Sequence, residues 1–481
     1  MDLLMFYIVL TVTNTDVIKC ERVPLYVGAL FELSEHWWAS YTNFFPTIVE
    51  EAFEDILNHS NLLDDFELRL VVKDTKGLNG YAAKLMTDLL QEDPPKVAIL
   101  GPSLSDELTI TGQIAPFYNV LELSYVATTA STADKKLFPT LFSINQVSSA
   151  LNPLRIKMMK HFGWTRVGTI SFQTDMSVKQ MTDFHELVAA NEFSLITSAV
   201  VTDTSNIKDV IARFLQFDVR IIMGAFRSSK APAILCEAYK QGLYGHSYVW
   251  IITGTLMYPN WLQNADLDDI DCTREELFTV CENYFSLDYD KVTESTSPTI
   301  NGKSASATMD ELQALCDETE NKLTSYAGWI YDTAWSLALG LNNSIHHLAE
   351  RNITLHDYNY TTDYLECIVE GMREVTFSGL SGHVSFDDSG FRVGETFIRQ
   401  RVNGTLRDVA VFDPITDQLT WVIPESSIWL DGEAPADHFT YDESLAPASN
   451  IAVGCILTML SCGFILSIAF LVFNTYYRKQ R

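Results

Sequence analysis

The chain has 481 residues, 20% of them charged, 47% hydrophobic and 12% aromatic, a composition that can bury a core and is far from that of a disordered polymer. Its formal net charge is −29, from 62 acidic against 33 basic side chains, which repels phosphate backbones and sets aside nucleic acid and anionic membrane surfaces as main partners. The carboxylates are spread along the chain, so they read as a soluble acidic surface rather than a binding tail.

From Leu3 to Val12 the sequence LLMFYIVLTV has the length and position of a signal peptide, expected over residues 1–20. Between Pro24 and about Pro424 short β-branched runs alternate with amphipathic stretches, the pattern of βαβ units and parallel sheets. A first pass gives PLYVGALF, a helix from about Pro46 to Leu57, FELRLVVKD, a helix around Ala82 to Leu90, KVAILG, a helix from Ser105 to Tyr118 and VLELSYVA. After Asn145 the pattern restarts with a helix at Pro153 to Phe162, RVGTISF, a helix from Val178 to Ala190 and SLITSAVV. A helix at Ile207 to Leu215, VRIIMGAF, a helix from Ala231 to Gln241 and YVWIITGT complete the second pass. Two doubly wound α/β lobes in series account for this order. The Ser-, Thr- and acid-rich stretch from Asp288 to Asn321 reads as a mobile insertion, and GWIYDTAWSLALGL after it as a long helix whose aromatics belong to the core.

An uncharged apolar run, Ile451–Phe473, is long enough at about 1.5 Å per residue to cross a hydrocarbon layer of about 30 Å. Asp442 and Glu443 precede it, and Arg478, Lys479 and Arg481 follow. The positive-inside rule then places residues before 450 outside the cell and a stub over 474–481 in the cytoplasm, at the plasma membrane. Glycosylation sequons at Asn58, Asn342, Asn352, Asn359 and Asn403 all lie on the outer side. Of eight cysteines, Cys455 and Cys462 fall in the span, and the six others are too few for a disulfide scaffold. No Cys/His spacing marks a metal centre, and His346 with His347 reads as a solvated pair at a helix end. There is no GxGxxG after the first strand, Walker loop, GxSxG or HExxH, so nothing in the residues asks for an enzyme or a cofactor.

In a doubly wound sheet ligands sit outside the carboxyl ends of the strands. Two strand exits fit. In VAILGPSLSDEL, Ser105 stands as a candidate N-cap whose hydroxyl, with nearby N–H groups, can hold a small carboxylate. In LELSYVATTASTADKK, Thr128 and Thr129 offer hydroxyls at the start of another turn; ordinary capping explains either exit taken alone.

Longer strings carry a resemblance: YVGALF from Tyr26, LSYVATT from Leu123, ADKKLFPTLF from Ala133, NPLRIK from Asn152 and HFGWTRVGTIS from His161. Further strings are DVRIIMGAF from Asp218, CEAYKQGLYG from Cys236, YVWIITG from Tyr248, YDTAWSLALGLN from Tyr331, FSGLSGHVSFDDSG from Phe377 and FNTYYRKQR from Phe473. With them the chain resembles, from Leu25 to Tyr476, the extracellular Venus-flytrap domain and first membrane helix of the metabotropic (type B) GABA receptors, class C G-protein-coupled receptors. The resemblance implies a bilobal, periplasmic-binding-protein-like domain. Its first lobe would hold about 23–147 and 322–385, its second about 148–321 and 386–430, with a cysteine-free linker over 437–450.

Carried over by position, Trp37 matches a stacking tryptophan, Ser105 a carboxylate-binding serine, and Thr128 takes the place of a second serine. Asn145, Arg227, Thr255 and Tyr326 stand where the family's GABA-binding subunit has histidine, tyrosine, tryptophan and the glutamate that anchors the ligand's amine. Without that carboxylate a desolvated ammonium is costly, and Arg227 adds like charge. The resemblance thus leans toward the non-binding partner subunit, or toward a different, anionic ligand held by Arg227. It also implies a Cys236–Cys272 disulfide and the absence of a first-lobe bridge, where Gly77 and Leu104 stand; Cys281 with Cys316 would be a guess. The implied partners are GABA or another small amino-acid-like ligand, a second GABA type B-like subunit as a heterodimer, and a G protein only through a seven-helix region for which 481 residues leave no room. The alternative is a single-pass binding or decoy protein built on the same domain.

Overall fold

The computed structural model describes residues 22–478 apart from 37–38, 128, 204–205, 255–256, 258–260, 290–292, 294–295, 319–322, 430 and 440–449. The expected signal peptide and most of the linker lie outside the described residues. Contacts divide the chain into Met1–His438 and Phe439–Arg481. In the second unit a single helix, Asn450–Arg478, contains a run, Val453–Arg478, long and apolar enough to cross a membrane.

The first unit begins with β1 (Val23–Phe31), α1 (Ala39–Thr42), α2 (Phe45–Asn58), β2 (Phe66–Asp74), α3 (Asn79–Gln91), β3 (Lys96–Leu100), α4 (Ser105–Ile114), β4 (Leu121–Ser124) and β5 (Leu141–Ser143). These strands form a parallel sheet in the order β2-β1-β3-β4-β5. β3 is buried along its whole length, as a parallel strand covered on both faces must be. α2 buries Phe45, Ile48, Val49, Ala52, Phe53 and Ile56, one stripe at helical spacing. α4 stops at Ile114 rather than at Tyr118, and Pro116 continues it as a 3₁₀ turn.

The second pass comprises α5 (Asn152–His161), β6 (Arg166–Phe172), α6 (Asp175–Ala190), β7 (Ser194–Val201), α7 (Ile207–Gln216), β8 (Ile221–Ala225), α8 (Ala231–Gln241), β9 (Val249–Thr253), α9 (Arg274–Val280) and β10 (Phe285–Asp288). The chain continues with α10 (Ala305–Glu318), α11 (Ala327–Glu350), α12 (Thr362–Arg373), β11 (Thr376–Gly379) and β12 (Gly382–Ser385). It closes with β13 (Thr396–Val402), β14 (Thr405–Asp413) and β15 (Gln418–Trp421), and the Asn450–Arg478 helix is α13. The second sheet runs β15-β14-β13-β10-β9-β8-β6-β7. Its five central and outer strands from β10 to β7 are parallel, whereas β13, β14 and β15 are antiparallel. The expected parallel sheet thus carries an antiparallel edge of three strands. The turn at Asn403 (φ 50°) and Gly404 (φ 85°) suits a tight hairpin that returns the chain without a crossover helix.

The expected mobile insertion is another correction. α10 turns Ala305, Thr308, Leu312 and Cys316 inward, so an apolar stripe hidden in a polar stretch folds it. Its neighbourhood belongs to the first lobe: Asn301 donates to the Tyr331 hydroxyl (2.9 Å), Ile300 N–H to Ser378 O (2.8 Å) and Thr293 N–H to Leu380 O (2.7 Å). Thr293 and Ile300 are thus bonded to β11 and the turn after it. The aromatics Trp329, Tyr331 and Trp335 of α11 are buried.

Cys236 on α8 and Cys272 ahead of α9 form a disulfide, an added constraint of about 2–4 kcal/mol. Cys281 and Cys316 form no disulfide and are buried in different apolar clusters. Asn58, Asn352, Asn359 and Asn403 are exposed at helix ends and turns, but Asn342 sits within α11, half-buried, and its Oδ1 accepts from Leu63 N–H at 3.2 Å. Glycopeptide mass spectrometry is expected to find glycans at the four exposed sequons and none at Asn342.

Three carboxyl groups lie deep in the first lobe. Glu32, just past β1, accepts from the Ser103 N–H (3.1 Å), the Leu104 N–H (3.4 Å) and the Ser103 hydroxyl. Glu107 of α4 lies beside it and accepts from Thr75 Oγ1 at 3.0 Å; both side chains are inaccessible to water. Burial, reinforced by the hydrogen bond and charge of Glu32, pushes Glu107 well above the carboxylate range, so the pair holds a proton. That proton also satisfies Glu107 Oε1, which no other described donor meets. Glu122 of β4 accepts from Thr111 Oγ1 (2.6 Å), and burial pushes it from 4.5 up to about 8. A carboxyl whose folded value is raised lends stability that is complete below its unfolded value and is lost as pH climbs through the folded one. Thermal unfolding followed by circular dichroism is expected to show stability falling between pH 4.5 and about 8, with a flatter profile in Glu122→Gln.

Candidate functional site

In the first sheet the order reverses between β1 and β3, and in the second between β6 and β8. At such switch points adjacent loops part, and helix N-termini aim free N–H groups into the gap. A cleft of about 480 Å³ lies there, walled on one side by His36, Gly77, Asn79, Leu104, Ser105, Asp106 and Thr109 and on the other by Gln173, Thr174, Asp175, Met176 and Arg227. Asp74 ties the loops after β1 and β2 together, accepting from Leu33 N–H (2.8 Å), Ser34 Oγ (2.5 Å) and Lys76 N–H (3.0 Å). Burial opposes its charge, but these hydrogen bonds outweigh it and hold Asp74 below the usual carboxylate range. Gly77 (φ 70°) has no room for a Cβ, which would meet the His36 ring at 2.5 Å.

Ser105 is the first residue of α4, not its cap. Leu104 precedes it without a side-chain cap, and the loop N–H groups of Ser103 and Leu104 are taken from behind by Glu32. Among the described residues the Ser105 hydroxyl has no hydrogen-bond partner, and the residue is half-buried at the cleft wall. Across the cleft α6 starts at Asp175 under a Thr174 cap, whose Oγ1 accepts from Ser177 N–H at 3.3 Å. Arg227, half-buried at the exit of β8, forms no ion pair among the described residues. A guanidinium, an unengaged hydroxyl and two helix N-termini converge, which is an arrangement for a carboxylate or similar anion. The carboxylates of Asp106 and Asp175 at the rim are exposed.

The other expected site residues separate. Tyr326 precedes α11, buried, with its ring 5.6 Å from that of Trp329. Burial and the negative charge of Asp288 push its hydroxyl above the ordinary range, while Arg227 acts in the opposite sense, so Tyr326 stays neutral within reach of Arg227's field. Asn145 faces a second cavity, of about 330 Å³, among the segments that connect the lobes, together with Gln146, Tyr289, Trp329, Arg392 and Glu395. Its amide donates to Tyr125 O (3.1 Å) and Val126 O (3.0 Å), so it braces the exit of β4. Trp37, Thr128 and Thr255 lie outside the described residues.

The second-lobe wall rests on a buried network. Arg155 donates to Asn152 Oδ1 (2.6 Å) and Thr253 Oγ1 (2.7 Å), and Thr253 donates to Gln180 Oε1 (3.0 Å). Burial lowers the Arg155 guanidinium to about 9. Sequence reasoning passed over the β6 exit, although SFQTDMS carries the same strand, hydroxyl and acid signal as the β3 exit. His36 and Asp288 had no signal at all, because fold alone brings them to this region.

Residues 49–398 match the family described as Receptor family ligand binding region. The chain is 29% identical over 461 residues to gamma-aminobutyric acid type B receptor subunit 1 of Mus musculus, covering 95% of this chain and 47% of that one. It is 28% identical over 447 residues to gamma-aminobutyric acid type B receptor subunit 2 of Homo sapiens, covering 90% and 46%. A receptor-type guanylate cyclase of Caenorhabditis elegans matches over 218 residues at 22% identity, 43% of this chain and 19% of that one. The chain spans about half the length of the type B receptor subunits it matches. With the two-lobed fold, the cleft at its switch points and these likenesses, the chain belongs to the receptor ligand-binding-region family and is a GABA type B-like class C receptor domain.

Proposed function

We propose that the cleft is the sensing site of a GABA type B-like receptor subunit, and that it takes a small amino-acid-like molecule carrying more negative than positive charge. The half-buried Arg227, which forms no ion pair among the described residues and lines the same cleft as Ser105, is the observation that supports this reading. Arg227 and Ser105 hold the ligand's acid groups from opposite lobes, so binding favours the closed arrangement by the difference in contacts between closed and open. Trp37, Thr128, Thr255 and Tyr326 are proposed as further ligand contacts by their positions in the family. The domain lies outside the plasma membrane, α13 spans it, and the partner is a second GABA type B-like subunit. A G protein is engaged only through a seven-helix region.

The route from the lobes to the membrane starts at the second lobe. Trp164 Nε1 donates to Pro435 O at 2.9 Å, and Asp437 Oδ2 accepts from Thr165 N–H (2.5 Å) and Arg166 N–H (2.9 Å). The segment that ends at His438 is thus tied to the base of β6.

A second reading has its own support. Glu32 already occupies the N–H groups of Ser103 and Leu104, which an incoming carboxylate would otherwise use. On that reading the subunit binds no amino acid and serves as the coupling partner of one that does. Isothermal titration of the detergent-solubilised chain with glutamate and with GABA separates the two. Saturable heat with glutamate and little with GABA is expected, weakened about 10- to 100-fold in Arg227→Ala, the loss of a charge-assisted contact. No heat with either acid favours the coupling role, and micromolar GABA binding indifferent to Arg227 overturns the anionic-ligand reading.

A further inference from the structure

The ends of α11 and α12 bring together a set of donors that the cleft does not use. His347 Nε2 lies 3.1 Å from Glu374 Oε1, and His346 Nε2 lies 4.0 Å from the same oxygen. The two imidazole rings lie with centroids 3.8 Å apart and planes tilted by 38°. One ligand atom from each of His346, His347 and Glu374 falls within 4.8 Å of the others. Tetrahedral coordination with metal–nitrogen bonds of about 2.0–2.1 Å sets donors about 3.3 Å apart, so the His347–Glu374 spacing already fits and His346 has to close by a fraction of an ångström.

The outer partner is also in place. His347 Nδ1 lies 3.5 Å from Glu370 Oε2, which leaves Nε2 directed at the shared position. A carboxylate on one ring nitrogen fixes the tautomer and raises the basicity of the other, the arrangement found behind metal-bound histidines. The backbone beneath is rigid. A Cβ on Gly371 would meet Gly340 O at 2.3 Å, and Asn343 Nδ2 donates to Gly371 O at 3.2 Å, so α11 and α12 are locked at close approach beside the donors. His347 is 17% exposed and His346 57%, which leaves the fourth position open to water.

We propose that His346, His347 and Glu374 form a Zn²⁺ site that staples α11 to α12, with Glu370 as the carboxylate that orients His347. Two imidazoles and one carboxylate suit zinc rather than calcium or magnesium, which take oxygen ligands. The staple is independent of what the cleft binds.

The test is equilibrium dialysis of the full chain in detergent against buffered free Zn²⁺, with bound metal measured by elemental analysis. The chain is expected to hold one more Zn²⁺ than His346→Ala/His347→Ala, and Glu370→Gln is expected to weaken that site about 10- to 100-fold. Co²⁺ substitution is expected to give a visible absorption band that the double variant lacks. Equal zinc content in the parent and the double variant overturns the proposal. If circular dichroism shows the double variant misfolded, the exposed His346→Ala alone decides: unchanged zinc affinity overturns the three-ligand site, and a weakened one supports it.

Discussion

A carboxylate closed off from water carries the architecture of the first-lobe site. Glu32 reaches from the end of β1 to the N–H groups and hydroxyl that follow β3, so two neighbouring strand exits behave as one rigid loop. Burying a charge without partners is prohibitive, and the structure meets that cost with three donors and a proton kept on Glu107. Asp74 does the same between the loops after β1 and β2. The cleft wall on this side is thus a set of loops clamped from beneath by carboxylates, which is why Ser105 can stand unengaged at its surface.

The second lobe solves the problem with the opposite charge. Arg155, fully buried, gathers α5, β9 and, through Thr253 and Gln180, α6. Between the lobes run three connections: the one after β5, the one after β10 and the one after β12. The third is secured by Asp332 of α11, which accepts from Leu380 N–H and Ser381 N–H at 2.8 Å each, while Arg392 donates to Ser381 Oγ at 2.6 Å. Burial raises the Asp332 carboxyl, and Arg392 and the serine hydrogen bonds oppose that rise. Each lobe is thus tied together around its own buried charge.

Much of the fold was legible because parallel strands covered on both faces leave continuous apolar runs such as KVAIL and IIMGA, bounded by helices with one apolar stripe. The misses share a cause. The Asp288–Asn321 stretch looked polar because one stripe of Ala305, Thr308, Leu312 and Cys316 is weak against its surroundings. The antiparallel strands β13 to β15 were passed over because their inward residues alternate with charged ones. Of the expected site residues, Ser105 and Arg227 line one cleft, whereas Asn145 lines the cavity among the connecting segments, its amide satisfying two backbone carbonyls there.

By itself the sequence determined the two α/β lobes, the apolar helix at the end and the receptor family, because these rest on local periodicity and on strings of neighbouring residues. Only the tertiary structure decided that Glu32 lies against Glu107, that Arg227 lines the same cleft as Ser105, and that His346 and His347 meet Glu374. Those contacts join residues tens to hundreds of positions apart, so no local pattern in the sequence carries them.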